Sequence, residues 1–189
     1  MGIAERIKYL FFVRLRVWKY SLLSNCKNVI GRPKLHFPLL LNGRGTIRLG
    51  RNFQNGVIAA HNYYTGYNYI LAMNPESEVN IGDNVVMANG ASIQAVSKIT
   101  IEDNVMIGIN VFLVDTDGHD LDPDKRMDGE VKSGAITIRK NAVVFYNSVV
   151  FKGVTIGENS VIGSCSVVTR DIPPNVFAAG NPARVIRSL

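Results

Sequence analysis

Only two cysteines occur in the 189 residues, and Cys26 and Cys165 stand too far apart to form a ligand spacing such as C-x-x-C. That excludes a disulfide framework and leaves a zinc knuckle without ligands; reduced thiols in the cytoplasm are the expectation. Long apolar runs are missing as well. Tyr9-Leu10-Phe11-Phe12-Val13 is broken by Arg14 and Arg16, well short of the roughly 20 residues of a spanning helix. No small-residue cleavage site follows it, which argues against export. Charged residues make up only 19% against 47% hydrophobic, with 17 glycines, a balance that excludes disorder. Histidine is rare too: His36, His61 and His119 are the full set. Their wide spacing lacks the close pair a trihistidine zinc site needs, so no metal is expected.

Lys and Arg number 21 against 15 Asp and Glu, an excess that favours anionic partners such as a nucleotide, a phosphate or an acidic membrane. Nucleic acid is not among them, because no recognised motif is present and aromatics interleave with basic residues only within the first 20 positions.

What the chain does possess is a period of six. Ile138, Val144, Val150, Ile156, Ile162 and Val168 follow at unbroken six-residue steps, and all are β-branched, which suits short strands. Four residues after each of the first five stand the small side chains Ala142, Ser148, Val154, Ser160 and Ser166. A helix would space its apolar residues by three and four, and a hairpin sheet would alternate. The pattern instead predicts an all-β fold of three short flat faces per coil, about 18 residues per coil, stacked into a triangular prism. Asn recurs as the last residue of Leu49–Asn52, Ile81–Asn84, Ile101–Asn104, Ile138–Asn141 and Ile156–Asn159. Its tolerance of left-handed backbone suits a corner. Ala60–Tyr69 is expected to interrupt one coil, and the hydrophilic loop 116–134 to leave the prism; an excursion of that length is functional or disordered.

The loop is entered through Val114-Asp115-Thr116-Asp117-Gly118-His119-Asp120-Leu121-Asp122-Pro123 and later carries Arg126. If residues 115–119 are extended, Asp115, Asp117 and His119 share one face. Together with the repeats and the ending Ala179-Gly180-Asn181-Pro182-Ala183-Arg184-Val185-Ile186-Arg187, this stretch resembles the hexapeptide-repeat O-acetyltransferases over roughly residues 80–187. That family includes galactoside and maltose acetyltransferases and enzymes of capsule, exopolysaccharide and lipopolysaccharide modification. The resemblance implies a left-handed parallel β-helix over 28–189 with a short C-terminal helix. It also implies a homotrimer with active sites between neighbouring prisms, acetyl-CoA as co-substrate, and a sugar or glycan hydroxyl as acceptor.

Moving an acetyl group from a thioester to a hydroxyl needs a base, for which imidazole is suited near neutral pH; the resemblance assigns this to His119. On the shared face one of the two aspartates, Asp117 in preference to Asp115, is expected to hold the ring; Asp115, Arg126 and Asn89 are the candidates for the acceptor, Asn89 being displaced by one position from the family's asparagine. Carried over in the same way, Ser164 contacts the pantetheine arm, Thr169 and Arg170 the adenine end, and Arg184 and Arg187 the phosphates, where cations are favoured. The galactoside-type Trp-Ile-Gly is replaced by Val143-Val144-Phe145, so an indole contact is missing. Tyr146, in place of the following small residue, either takes over an aromatic contact or narrows the groove.

Residues 1–27 form a separate segment. Ile3, Ile7, Leu10, Phe11, Leu15 and Trp18 fall near helical spacing among Arg6, Lys8, Arg14, Arg16 and Lys19, which predicts a basic amphipathic helix. It either caps the open end of the prism, the reading favoured here, or attaches to an anionic membrane at the inner face of the cell. The competing functions are an N-acetyltransferase of an amino sugar, a γ-type carbonic anhydrase and a non-catalytic β-helix.

Overall fold

The computed structural model describes residues 2–189. It is a left-handed parallel β-helix of three faces. Face one stacks Asn28–Ile30, Thr46–Leu49, Glu78–Ile81, Lys98–Ile101, Ile136–Ile138 and Thr155–Ile156. Face two stacks Lys34–Leu35, Gln54–Asn55, Val86–Met87, Met106–Ile107, Val143–Val144, Val161–Ile162 and Val176–Gly180. Face three stacks Leu39–Gly43, Asn68–Ala72, Ser92–Ala95, Phe112–Val114, Val149–Val150 and Val167–Val168.

The six-residue period is the inward register. Leu49, Ile81, Ile101, Ile138 and Ile156 lie directly over one another on face one, and Met87, Ile107, Val144 and Ile162 do so on face two. On face three Ile70, Ile93, Leu113, Val150 and Val168 make the third column. All six residues from Ile138 to Val168 in the periodic series are fully buried, each worth roughly 1.5–3 kcal/mol of burial. The interleaved Ala142, Ser148, Val154, Ser160 and Ser166 are buried too; only small side chains fit inside a corner.

Each of the five expected corner asparagines has a positive φ, between 57° and 60°. Asn175 joins them at 58°. Their amides form a continuous ladder up one edge, Asn52 to Asn84, Asn104, Asn141, Asn159 and Asn175, with steps of 2.8–3.2 Å. A shorter ladder, Asn62 to Asn110 to Asn147, runs up a second edge.

Both excursions leave the register intact. Leu49 still pairs with Ile81 across the first and Ile101 with Ile138 across the second. The C-terminus differs from expectation: Ala183–Ser188 is not a helix but a strand, antiparallel to Val176–Gly180. Val185 and Ile186 are β-branched, Pro182 precedes them, and the last strand of face two offers unpaired backbone groups. The chain reverses at Gly180, where φ is +106°.

The N-terminal segment is helical over 3–23, with α-helix at Ile3–Tyr9 and Leu15–Leu23 joined by a π-helical turn at Leu10–Arg14. The wider turn changes which residues face inward. Tyr9, Val13 and Val17, spaced by four, pack on Phe37 and Tyr63, while the expected apolar stripe points outward, with Trp18 64% exposed. Ser24, Asn25 and Cys26 then bond to Leu41 and Gly43, covering the free edge of face three. The segment thus caps the first coil, but with the opposite face from the one its composition suggested.

Two predictions concern stability. Replacing Asn141 by Ala forces a β-carbon residue into left-handed backbone, at roughly 1 kcal/mol or more, whereas Gly relieves that strain; urea unfolding should rank wild type, Asn141→Gly and Asn141→Ala in that order. On face one, hydrogen bonds from Lys98, Asn80 and Arg48 hold the Glu78 carboxyl down to about 2. The stability it adds over Glu78→Gln is fully present above the ordinary carboxylate range and disappears as pH falls through about 2. The pair is partly exposed, so the gap should stay under ~1 kcal/mol and shrink with salt.

Candidate active site

The 116–134 loop leaves the prism where face three turns into face one. Its base is built by Asp115, fully buried, whose carboxylate accepts from the backbone N–H of Val96 at 2.7 Å and of Ser97 at 2.8 Å on the preceding coil. Its carbonyl accepts from Gly134, and Thr116 bridges Ser133, so the loop closes at its root. Asp115 is therefore an anchor with both carboxylate oxygens occupied, a structural role in place of the expected acceptor contact.

Beyond the root the loop is knitted by its own side chains. The Asp120 carboxylate accepts from Asp122 N–H and the Asp122 carboxylate from Asp124 N–H, starting a 3-10 turn at Pro123–Lys125. This turn presents the carbonyl of Arg126 to His119 Nδ1 at 3.1 Å. A carbonyl only accepts, so Nδ1 is the donor, and in the neutral ring the lone pair falls on Nε2. Nε2 has no partner among the described residues.

The group holding the ring is thus a backbone carbonyl, and the assignment of Asp117 to that task does not survive. The Asp117 carboxylate pairs instead with Lys152 Nζ at 2.6 Å, tying the loop to the following coil. Lys152 was not anticipated, although the register that sets Leu113 beside Val150 carries it to the level of Asp115. Arg126 enters through its main chain, and its exposed side chain contacts no acid among the described residues.

Asn89 is fully buried and committed elsewhere. It accepts from Val57 N–H and donates to the carbonyls of Val57 and His61, pinning the 57–67 excursion. With both N–H groups used it has none for an acceptor or an oxyanion.

The residues assigned to the donor are spread over the surface. Thr169 and Arg170 share the corner of the His119 loop, while Tyr146 and Ser164 stand at the corner between faces two and three, all exposed. Phe145 and Tyr146 form a tilted exposed pair with centroids 6.4 Å apart. On Ala183–Ser188 a bulge opposite Phe177/Ala178 sets Arg187 against Phe177 and Arg184 against Ala179, so both guanidinium groups project outward. Neither they nor Arg170 form an ion pair among the described residues. No group of three His, Cys, Asp or Glu among those residues could hold a metal ion.

Residues 135–170 match the family model described as hexapeptide repeat of succinyl-transferase. The galactoside O-acetyltransferase of Escherichia coli K12 is 47% identical over 113 residues, which is 60% of this chain and 55% of that enzyme; the match thus spans about half the length of that relative. A galactoside acetyltransferase solved in complex with coenzyme A is 30% identical and aligns over 100% of this chain and 84% of its own, with a TM-score of 0.58. This chain belongs to the hexapeptide-repeat acetyltransferase family. A second family member of known structure, a polySia-specific acetyltransferase, is 29% identical over 80% of this chain and 65% of its own, with a TM-score of 0.61.

Asp115 is the residue on which the loop's placement rests. Asp115→Asn puts an amide N–H against one of two backbone donors, which should cost roughly 1–3 kcal/mol. The variant should be cleaved within 116–134 by a protease at a dose that leaves wild type whole, with lower urea stability in the same preparation.

Proposed function

We propose that this protein transfers the acetyl group of acetyl-CoA to a sugar hydroxyl, with His119 as general base. The observation that carries the reading is the contact of His119 Nδ1 with the Arg126 carbonyl at 3.1 Å, which assigns Nδ1 as donor and makes Nε2 the free acceptor of the neutral ring. Nε2 takes the hydroxyl proton as the sugar oxygen bonds to the thioester carbon, and the imidazolium passes it to the sulfur as the C–S bond breaks. No acyl-enzyme is needed. The Arg126 carbonyl dipole stabilises the imidazolium while it lasts.

Bound acetyl-CoA supplies the activated acetyl group. Ser164 and Tyr146 would line its pantetheine arm, Thr169 and Arg170 its adenine end, and the unpaired Arg184 and Arg187 its phosphates. Exposed guanidinium groups without acidic partners suit that task. His119 and Tyr146 occupy different corners of the triangle, so a homotrimer that sets one copy's His119 corner beside the next copy's Tyr146 corner would complete the site. A surface polysaccharide is the acceptor class we favour, in line with the polySia-specific relative. Unpaired Cys26 and Cys165 suit the reducing cytoplasm.

The test is acceptor-dependent thiol release from acetyl-CoA over sugars, amino sugars and glycan fractions. His119→Ala should lower turnover by roughly 10²–10⁴-fold while CoA affinity changes little. Retained turnover on an amino sugar would move the reading to N-acetylation, and failure of both proteins to bind CoA would end it.

A further inference from the structure

Charge is distributed unevenly along this chain. Residues 1–75 hold 11 of the Lys and Arg but a single acid, Glu5, whereas residues 76–189 hold 10 cations and 14 acids. Since coils stack in chain order, the positive half of the molecule is the N-terminal end of the prism, and the helix of residues 3–23 lies there.

That helix has two apolar faces. One is used up on Phe37 and Tyr63, and its position is locked by Arg16, which donates to the carbonyls of Tyr63 and Gly66, and by Tyr20 stacked on Tyr67 at 4.5 Å. The other, formed by Ile3, Ile7, Phe11, Leu15, Trp18 and Leu22, is 45–81% exposed. Arg6, Lys8, Arg14 and Lys19 are exposed along the same helix and form no ion pairs among the described residues. A helix of this length spans about 30 Å. No helix among the described residues is long and apolar enough to cross a membrane.

We propose that this outer face docks onto an anionic lipid surface, the apolar side chains entering the headgroup boundary and the cations meeting lipid phosphates. Aromatic and aliphatic residues flanked by unpaired cations match such a surface in both hydrophobicity and charge. The inner face stays bound to the prism, so docking would hold the positive end of the β-helix against the membrane without unfolding anything. It places the protein where a lipid-linked glycan would be found, but it does not depend on the acetyl-transfer reading.

Trp18 is the chain's single tryptophan and 64% exposed, so its emission reports the event directly. On vesicles in which about a third of the lipid is phosphatidylglycerol, the emission should shift to the blue and the protein should co-sediment. Salt near 0.5 M should weaken binding, because exposed charges are then screened. Phe11→Ser with Leu15→Ser should cut partitioning at least ten-fold and leave turnover on a soluble sugar unchanged. Neutralising Arg6 or Lys8 to Gln should cost about five-fold for each cation. The proposal is overturned if phosphatidylcholine vesicles bind equally well. It is also overturned if Trp18 emission is already blue in lipid-free protein and unmoved by vesicles, which would mean a second copy of this chain covers the face.

Discussion

A chain that turns three times per coil must enter left-handed backbone at its corners, and the rest of this structure depends on meeting that constraint cheaply. Asparagine meets it twice over. Its side chain tolerates positive φ, and its amide then bonds to the same residue one coil away, so each corner is tied to the next. With the corners aligned, inward residues fall in columns, and the column on each face excludes any register but one. Every later feature, from the loop root at Asp115 to the outward arginines, is positioned by counting from those columns.

The fold was legible because this constraint is periodic. The six buried residues from Ile138 to Val168 and five of the corner asparagines could be read directly, as could the excursions that interrupt them. The C-terminal strand was not, because its pairing partner is a sheet edge that the local residues do not announce. Nor was the inward face of the N-terminal helix: a single π-helical turn rotates Val13 and Val17 into line with Tyr9, and the apolar content of both faces is similar.

At the candidate site the excursion that carries His119 was legible, and the partners of its side chains were less so. An aspartate-rich loop around one histidine draws attention to His119, but sequence proximity says little about which group will hold the ring. Asp117 is two residues away and bonds to Lys152, 35 positions on, while the neighbour that does hold the ring is a main-chain oxygen. Asp115 and Asn89 have the composition of binding residues and the burial of structural ones. In a solenoid the nearest polar group is often one coil away, and backbone amides of that coil compete successfully for any carboxylate or carboxamide that faces them.

The two excursions start and finish at corners, and the pairings on either side of each are those of an uninterrupted coil. Loop length at a corner is therefore decoupled from the architecture beneath it. Chain closure over such a segment grows costly only slowly as residues are added. Loops of different length and sequence can therefore be exchanged at a corner while the work of folding stays with the columns, so the corners are where this scaffold can vary most freely.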